Sequence, residues 1–599
     1  MMKTAKISTV VLLMSAVFSV LAAPVITASG HKATVKVIDR DSWLIAFEAA
    51  PKDWVLAHLQ FSAAESDSNF VAFTIEQVKP AGLSPKRIIL QLKTGIRGEA
   101  FFNQDIRVKL RDNKPHRYSS SVPEGKKLNC ISLIVDRPAA PVVLKISKIV
   151  LEKRNIKARK NTPLPPVMFK GKPFFPIGAF DMTPNNSKLI FGEIDPDFLA
   201  AGGNIGFIGQ VGLPEHPLYA RYFQPALENA LKIAASDPKF ADVALMVSLA
   251  GISVDESQYK TKGYLQKVSG NELVRRQKLL ADALKMCAKN PNVIGYYLDE
   301  PENVVFTYIN KMRRKEWETK QRDAYLTGLM LDWHKWLYDA VREYHPAAKM
   351  MITLGWWTTY EKAADMYDVN MPNEYNAELN PDRLFQTNYD AAMAVAAARK
   401  VGKGKTVVYM PGMFDVLAGT KARPATIDAQ RYCTFAPITR GVMGIFGWRL
   451  TRCTAEYRKK IVYPVMKEVS NFKDYFLGEW HDELVTSDHD KATVEYLKKY
   501  QERNSLVIGK DDGEYLNTVD MVPDVSHCLR RNPATGKYLL LAVNNRREPV
   551  KVTFKIDLEK LPASIKCAFY GTEAKINGKT MTCEFKRFGV HAFEFELGK

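Results

Sequence analysis

Between residues 174 and 448 the sequence changes period eight times, and this rhythm constrains the fold more than any single motif. Short apolar runs recur at 174–181 (FFPIGAFD), 204–210, 243–251, 293–300 (VIGYYLDE), 348–356, 369–375, 406–413 and 441–448. Between them lie longer segments such as PALENALKIAAS and NELVRRQKLLADALKMCAKN, with apolar residues at helical spacing. A strand that is apolar on both faces must be covered on both, and an intervening helix returns the chain to pair the next strand in parallel. Eight such units over about 300 residues predict a (β/α)8 TIM barrel. A doubly wound open sheet is the rival. It would bring a glycine-rich phosphate loop after its first strand, and AFDMTPNNS contains no GxGxxG.

The flanks read differently. Residues 24–158 hold short β-rich runs (ATVKVID, WLIAFEA, NFVAFTIEQV, RIILQLKT, DIRVKL, NCISLIV, VVLKISKIVLEK) and predict an N-terminal β-sandwich of jelly-roll type. It is a candidate carbohydrate-binding module or a buttress for the barrel. The basic, proline-rich KARKNTPLPP reads as a linker. The barrel is expected over 167–480, and 481–599 returns to strands (NSLVIG, KYLLLAVNN, VKVTFKIDL, IKCAFYG, HAFEFEL) as a C-terminal β-sandwich. The 599 residues, too many for one small core, suit this multidomain plan.

Residues 1–23 carry Lys3 and Lys6, the apolar run VVLLMSAVFSVLAA and small residues before Pro24, the pattern of a cleaved secretory signal. The run is too short to span a bilayer comfortably, so a secreted or periplasmic protein without stable membrane insertion is expected. Seven scattered cysteines show neither metal-ligand spacing nor a disulfide framework; a local Cys567–Cys583 bridge is the one pairing considered. No metal or other cofactor is implied. The net charge of +20, or +18 without Lys3 and Lys6, favours polyanions. No nucleic-acid motif accompanies it, and an anionic polysaccharide suits an exported chain better; general surface basicity is the plainer account. Nothing in the sequence sets an oligomeric state.

The fourth apolar run ends in two adjacent acids, Asp299 and Glu300, followed by Pro301, which cannot extend a ladder. In a barrel this is the C-terminal face, where active sites form. Cleaving a glycosidic bond requires a carboxylic acid to protonate the departing oxygen. Tyr296, Tyr297 and the nearby Asp299 are expected to keep Glu300 protonated. A strand cap paired with the basic KMRRK segment is the alternative.

FKGKPFFPIGAF, VIGYYLDEP and the flanking strand-rich regions together resemble multidomain bacterial glycoside hydrolases of the (β/α)8-barrel superfamily. The resemblance implies that Glu300 is the general acid/base. It also implies a glutamate nucleophile ending strand seven, and TVVYMPGM has none; Asp415 lies two residues beyond it. Two other routes stay open. Glu374, in NMPNEYN, could serve as base in an inverting geometry, with carboxyls roughly 6.5–9.5 Å apart. Alternatively, Asp299 resembles the aspartate that orients a substrate acetamido group in hexosaminidases with an adjacent Asp-Glu pair.

Other strand ends offer groups that suit a sugar: Asp181, Gln210, Trp356 (with Trp357), Tyr375, Asp415, Trp448 and Arg449. Aromatic faces pack on the apolar side of a pyranose, and Arg449 suits a sulfate or carboxylate. The expectation is a secreted glycoside hydrolase acting on O-glycosidic bonds of a poly- or oligosaccharide, anionic or N-acetylated among the candidates. The alternative is a non-catalytic carbohydrate-binding protein on a degenerate barrel.

Overall fold

The computed structural model describes residues 26–598, leaving out isolated positions, short stretches and the longer segments 153–162, 183–193, 210–223, 250–269, 299–334, 354–366 and 498–521. The expected signal segment, residues 1–23, lies outside the described residues. Among the described residues no helix is long and apolar enough to cross a membrane. The chain parts into two compact units after Asn155.

The first unit holds two five-stranded sheets. One orders Ile26–His31, Trp54–Phe61, Cys130–Asp136, Arg87–Lys93 and Ala100–Asp105. The other orders Ala33–Asp39, Ser42–Phe47, Val142–Glu152, Phe70–Lys79 and His116–Ser121. Neighbouring strands are antiparallel. Alternation along Trp54–Phe61 buries Val55, Ala57, Leu59 and Phe61, and along Arg87–Lys93 it buries Ile88, Leu90 and Leu92. These residues join Ile45, Phe47, Phe73 and Ile75 of the second sheet in one core. The strand expected at DIRVKL instead ends at Asp105, where Ile89 is its last ladder partner. Trp54–Phe61 was not among the expected runs, because its apolar residues fall on both phases of the alternation.

In the second unit each of the eight apolar runs contributes a parallel strand to one sheet: β1 (Ile177–Ala179), β2 (Ile205–Ile208), β3 (Ala244–Ser248), β4 (Val293–Leu298), β5 (Lys349–Ile352), β6 (Val369–Asn370), β7 (Thr406–Val407) and β8 (Ile445–Gly447). β6 resumes as Asn373–Glu374 and β7 as Met410–Pro411, and these extensions pair with each other. Pro372 interrupts the first because it carries no N–H to donate. β8 pairs with β1, and the bridges Tyr409–Ile445 and Gly412–Trp448 join the seventh strand to the eighth. The sheet therefore curls onto itself, consistent with a TIM barrel.

Its lumen is filled rather than open. Phe180, Phe207, Met246, Tyr297, Met351, Met371, Met410 and Phe446 form a buried cluster of inward side chains. Gly178 on β1 keeps adjacent strands in register without collision, since a Cβ there would lie 2.4 Å from the Ile205 side chain. Around the sheet run α1 (Pro196–Ala200), α2 (Gln224–Ser236), α3 (Gly270–Ala288), a helical stretch at 335–344, α4 (Phe385–Val401), α5 (Ile427–Thr439) and α6 (Tyr463–Phe476).

The C-terminal strands form a four-stranded and a five-stranded sheet. The runs at KYLLLAVNN, VKVTFKIDL, IKCAFYG and HAFEFEL each supply a strand, while NSLVIG lies outside the described residues. Val525–Arg531, Glu573–Asn577 and Thr580–Phe585 are further strands that the apolar pattern did not single out. This region is not separated from the barrel. Cys528, Leu539, Leu541, Val543, Val590 and Ala592 share a core with Cys433, Phe435 and Phe472 of the barrel helices. That is why α5 is buried all round from Ala429 to Thr439 instead of showing one polar face. All seven cysteines are free, Cys567 and Cys583 included, so the local bridge is not formed.

One buried group in this region makes an acid-stability prediction. His591 is 3% exposed and stacked on Phe585, with ring centroids 4.1 Å apart. Burial first, then Lys586, pulls its pKa from 6.5 down to about 4. The folded value lies below the unfolded one, so the stability it supports is complete above pH 6.5 and is lost as pH falls toward 4. The loss is on the order of 2–3 kcal/mol. Urea midpoints measured from pH 7.5 to 4 are expected to fall less steeply in His591→Phe than in the parent protein.

Candidate active site at the barrel mouth

The carboxyl ends of β6, β7 and β8 converge on an aromatic cluster. Tyr375, directly after the β6 extension, stacks on Trp448 at the end of β8, with centroids 4.8 Å apart and planes 28° from parallel. Phe414, beyond the β7 extension, sets its ring edge-on to both, 5.3 Å from Trp448 and 5.7 Å from Tyr375. Phe414 is fully buried, whereas Tyr375 and Trp448 are half-buried. Backbone bonds fix the rings: Trp448 N–H donates to the Pro411 carbonyl (2.9 Å) and Met413 N–H to the Trp448 carbonyl (3.2 Å). The Asn373 side-chain amide donates to the Tyr375 hydroxyl at 2.8 Å. The result is a braced aromatic platform whose polar edge is already oriented.

Asp415, buried beside this platform, accepts from both the backbone N–H (2.9 Å) and the hydroxyl of Thr454. Thr454 in turn caps the short helix Ala455–Tyr457, accepting from the Tyr457 N–H. Both Asp415 oxygens are thus engaged in tying the end of the seventh strand to the segment after the eighth.

Glu374 is half-buried on the β6 extension, beside Asn373, which pairs with Met410 of the lumen cluster. Its charge acts on Glu378, Asp390, Tyr409 and Cys433. Tyr409 and Cys433 belong to the layer between strands and helices. Alternation explains this, since Asn373 and Glu374 leave the strand in opposite directions. Burial, then Glu374, raises the Asp390 carboxyl well above the usual range.

The same alternation divides the two tyrosines expected around Glu300. Tyr297 lies in the lumen and shares a 2.7 Å hydrogen bond with the Thr353 hydroxyl, bridging β4 to the residue after β5. Tyr296 faces the helix layer, where its hydroxyl meets His345 Nδ1 at 2.8 Å. Both are fully buried. Asp299, Glu300, Asp181, Gln210, Trp356, Trp357 and Arg449 lie outside the described residues. Of the expected site residues, the structure brings Tyr375 and Trp448 together and places Asp415 and Glu374 as described.

Glu378 was not anticipated. It sits in the short helix Asn376–Leu379, fully buried, with neither carboxyl oxygen in a well-formed hydrogen bond among the described residues. In NEYNAELN it looks like an ordinary surface acid, and no periodicity flags it. Among the described residues no group of His, Cys, Asp or Glu has a metal-holding arrangement.

No family model matches the chain, and no curated protein matches it. Solved structures similar to it include α-L-fucosidase isoenzyme 2 from Paenibacillus thiaminolyticus, at 8% identity and TM-score 0.41, covering 70% of this chain and 99% of that one. A GH30 endoxylanase from Clostridium papyrosolvens C71 aligns at 11% identity and TM-score 0.37, covering 66% and 90%. A noncanonic maltogenic α-amylase, AmyB from Thermotoga neapolitana, aligns at 10% identity and TM-score 0.38, covering 67% and 92%. At these TM-scores the alignments do not decide an activity.

Proposed function

We propose that the chain is an exported glycoside hydrolase, cleaving O-glycosidic bonds of a poly- or oligosaccharide at the mouth of a (β/α)8 barrel flanked by β-sandwich domains. The observation that carries this reading is the half-buried Tyr375–Trp448 stack at the carboxyl ends of β6 and β8. A pyranose presents an apolar C–H face and a rim of hydroxyls. A fixed indole beside an oriented phenol hydroxyl complements both.

Glu300, ending the fourth run, is assigned as general acid/base, with Asp299 as its orienting or polarising neighbour. For the second group, an inverting base and a substrate acetamido oxygen are the routes retained. Glu374 serves as that base only where it can reach the mouth from its position beside Asp390 and Tyr409. The +18 charge of the chain without Lys3 and Lys6 favours anionic glycans in the panel of substrates.

A second reading has its own support. Among the described residues, Asp415 is engaged by Thr454 and Glu374 acts on the helix layer, which favours a barrel that binds glycans without cleaving them. Aryl glycosides, N-acetylated oligosaccharides and sulfated or uronic-acid polysaccharides, assayed for released phenol or reducing ends, separate the two. Turnover of any of them supports the hydrolase. Binding across the panel without product supports the second reading. In either case Trp448→Ala is expected to weaken affinity on the order of tenfold, about 1.4 kcal/mol, by calorimetry.

A further inference from the structure

We propose that Glu378 is a positioning residue for the Tyr375–Trp448 platform, its carboxyl packing against the back of Gly412. The contact is close and specific. A Cβ added to Gly412 would lie 2.5 Å from Glu378 Oε2 and 2.8 Å from Oε1, so the carboxyl occupies the space a side chain would need. Gly412 is bridged to Trp448 on the neighbouring eighth strand, and its carbonyl accepts from the Gln430 side-chain amide at 3.0 Å. The Glu378 carboxyl also approaches the backbone N–H of Phe414, the third ring of the platform. On its own chain it follows Tyr375 by three residues, and the Leu379 N–H bonds back to the Tyr375 carbonyl at 3.0 Å. One carboxyl therefore touches the supports of two rings, Trp448 and Phe414, and its short helix starts directly after the third, Tyr375.

Its surroundings oppose a negative charge. Glu374 faces it from the β6 extension, Cys433 from α5, and Cys453 and Tyr457 from the segment after β8. Asp390 on α4 lies one step further, acting with Glu374. No Lys or Arg among the described residues offsets the charge of Glu378. Burial raises its pKa from 4.5 to about 8 against an opposing pull from the backbone N–H groups of Glu378 and Phe414, and Glu374 adds a lesser push upward. The folded value lies above the unfolded one, so its contribution is complete below pH 4.5 and is lost as pH rises through about 8. Ionisation places an uncompensated charge directly behind Gly412, the residue bridged to Trp448.

The role of these rings in holding sugar rests on the proposed function, but the positioning itself can be read without any sugar. The full chain is labelled with 5-fluorotryptophan and followed by 19F NMR from pH 6 to 9.5. The Trp448 resonance, one of nine, is identified by its loss in Trp448→Phe. It is expected to shift with a midpoint near pH 8 in the parent protein and to stay in place in Glu378→Gln. A Trp448 resonance that does not titrate in the parent protein overturns the proposal, whether or not the variant folds. An unchanged shift in Glu378→Gln does the same. If the shift follows Glu378 yet no glycan binds, the sugar reading fails and the positioning stands. Where a substrate is found, KM is expected to rise at least fivefold between pH 7 and 9 in the parent protein alone.

Discussion

Glu300→Gln is expected to lower kcat by about 10²–10⁴-fold on glycosides with poor leaving groups, the range supplied by one general acid. The size of the loss is expected to depend on the leaving group. An alkoxide must be protonated as it departs, whereas a dinitrophenolate leaves unaided, so its cleavage should be slowed far less. The same substitution removes the alkaline limb that the acid imposes on the pH–rate profile, while affinity measured by calorimetry stays within about twofold of the parent protein. A loss that is equal for all leaving groups would sink the acid assignment. Asp299→Asn adds the mechanistic branch. A large loss confined to N-acetylated substrates identifies the acetamido oxygen as nucleophile, and a loss on all substrates assigns Asp299 to the charge of Glu300.

The second large effect concerns the joint between barrel and C-terminal sheets. Arg431 on α5 is almost wholly buried and binds Glu468 of α6 through two parallel bonds, Nε to Oε2 at 2.8 Å and Nη2 to Oε1 at 2.7 Å. A third bond reaches Asp428 at 2.9 Å, and the Tyr570 hydroxyl from the C-terminal region donates to the same carboxylate oxygen at 3.0 Å. The guanidinium also lies over the Phe569 ring, 4.9 Å from its centroid. Arg431→Ala leaves Glu468 without its partner in a mostly buried position, a change that typically costs about 3–5 kcal/mol. Arg431→Lys keeps the charge but loses the paired bonds, and a smaller loss is expected. Urea unfolding of the full chain measures both. Equal midpoints for parent and Arg431→Ala would show that the joint is held by apolar packing alone.

Much of the architecture was legible because burial on both faces leaves a direct trace. A central parallel strand is covered on both faces and is mostly apolar on both, so VIGYYL and ALMVS stand out from the helices around them. Antiparallel sheets left a weaker trace. Trp54–Phe61 is half-buried, mixes His58 and Gln60 into its outer face, and did not separate from its surroundings. The site was legible only in part. Tyr375 and Trp448 were singled out as aromatics at strand ends, but their stacking across 73 residues of chain depends on the curl that brings β6 and β8 to one rim.

What the order of residues determined by itself was therefore the period: eight two-sided apolar strands, the intervening helical faces, and the aromatics Tyr375 and Trp448 at strand ends. These are local consequences of how side chains alternate along a backbone. What only the tertiary structure decided was which groups are spent on holding the fold and which face open space. Asp415 looked available until Thr454, 39 residues later, took both its oxygens. Glu378 looked like a solvated acid until the packing of its helix against Gly412 removed it from water. Desolvation and hydrogen-bond partnership arise from neighbours distant in sequence, so no local pattern encodes them.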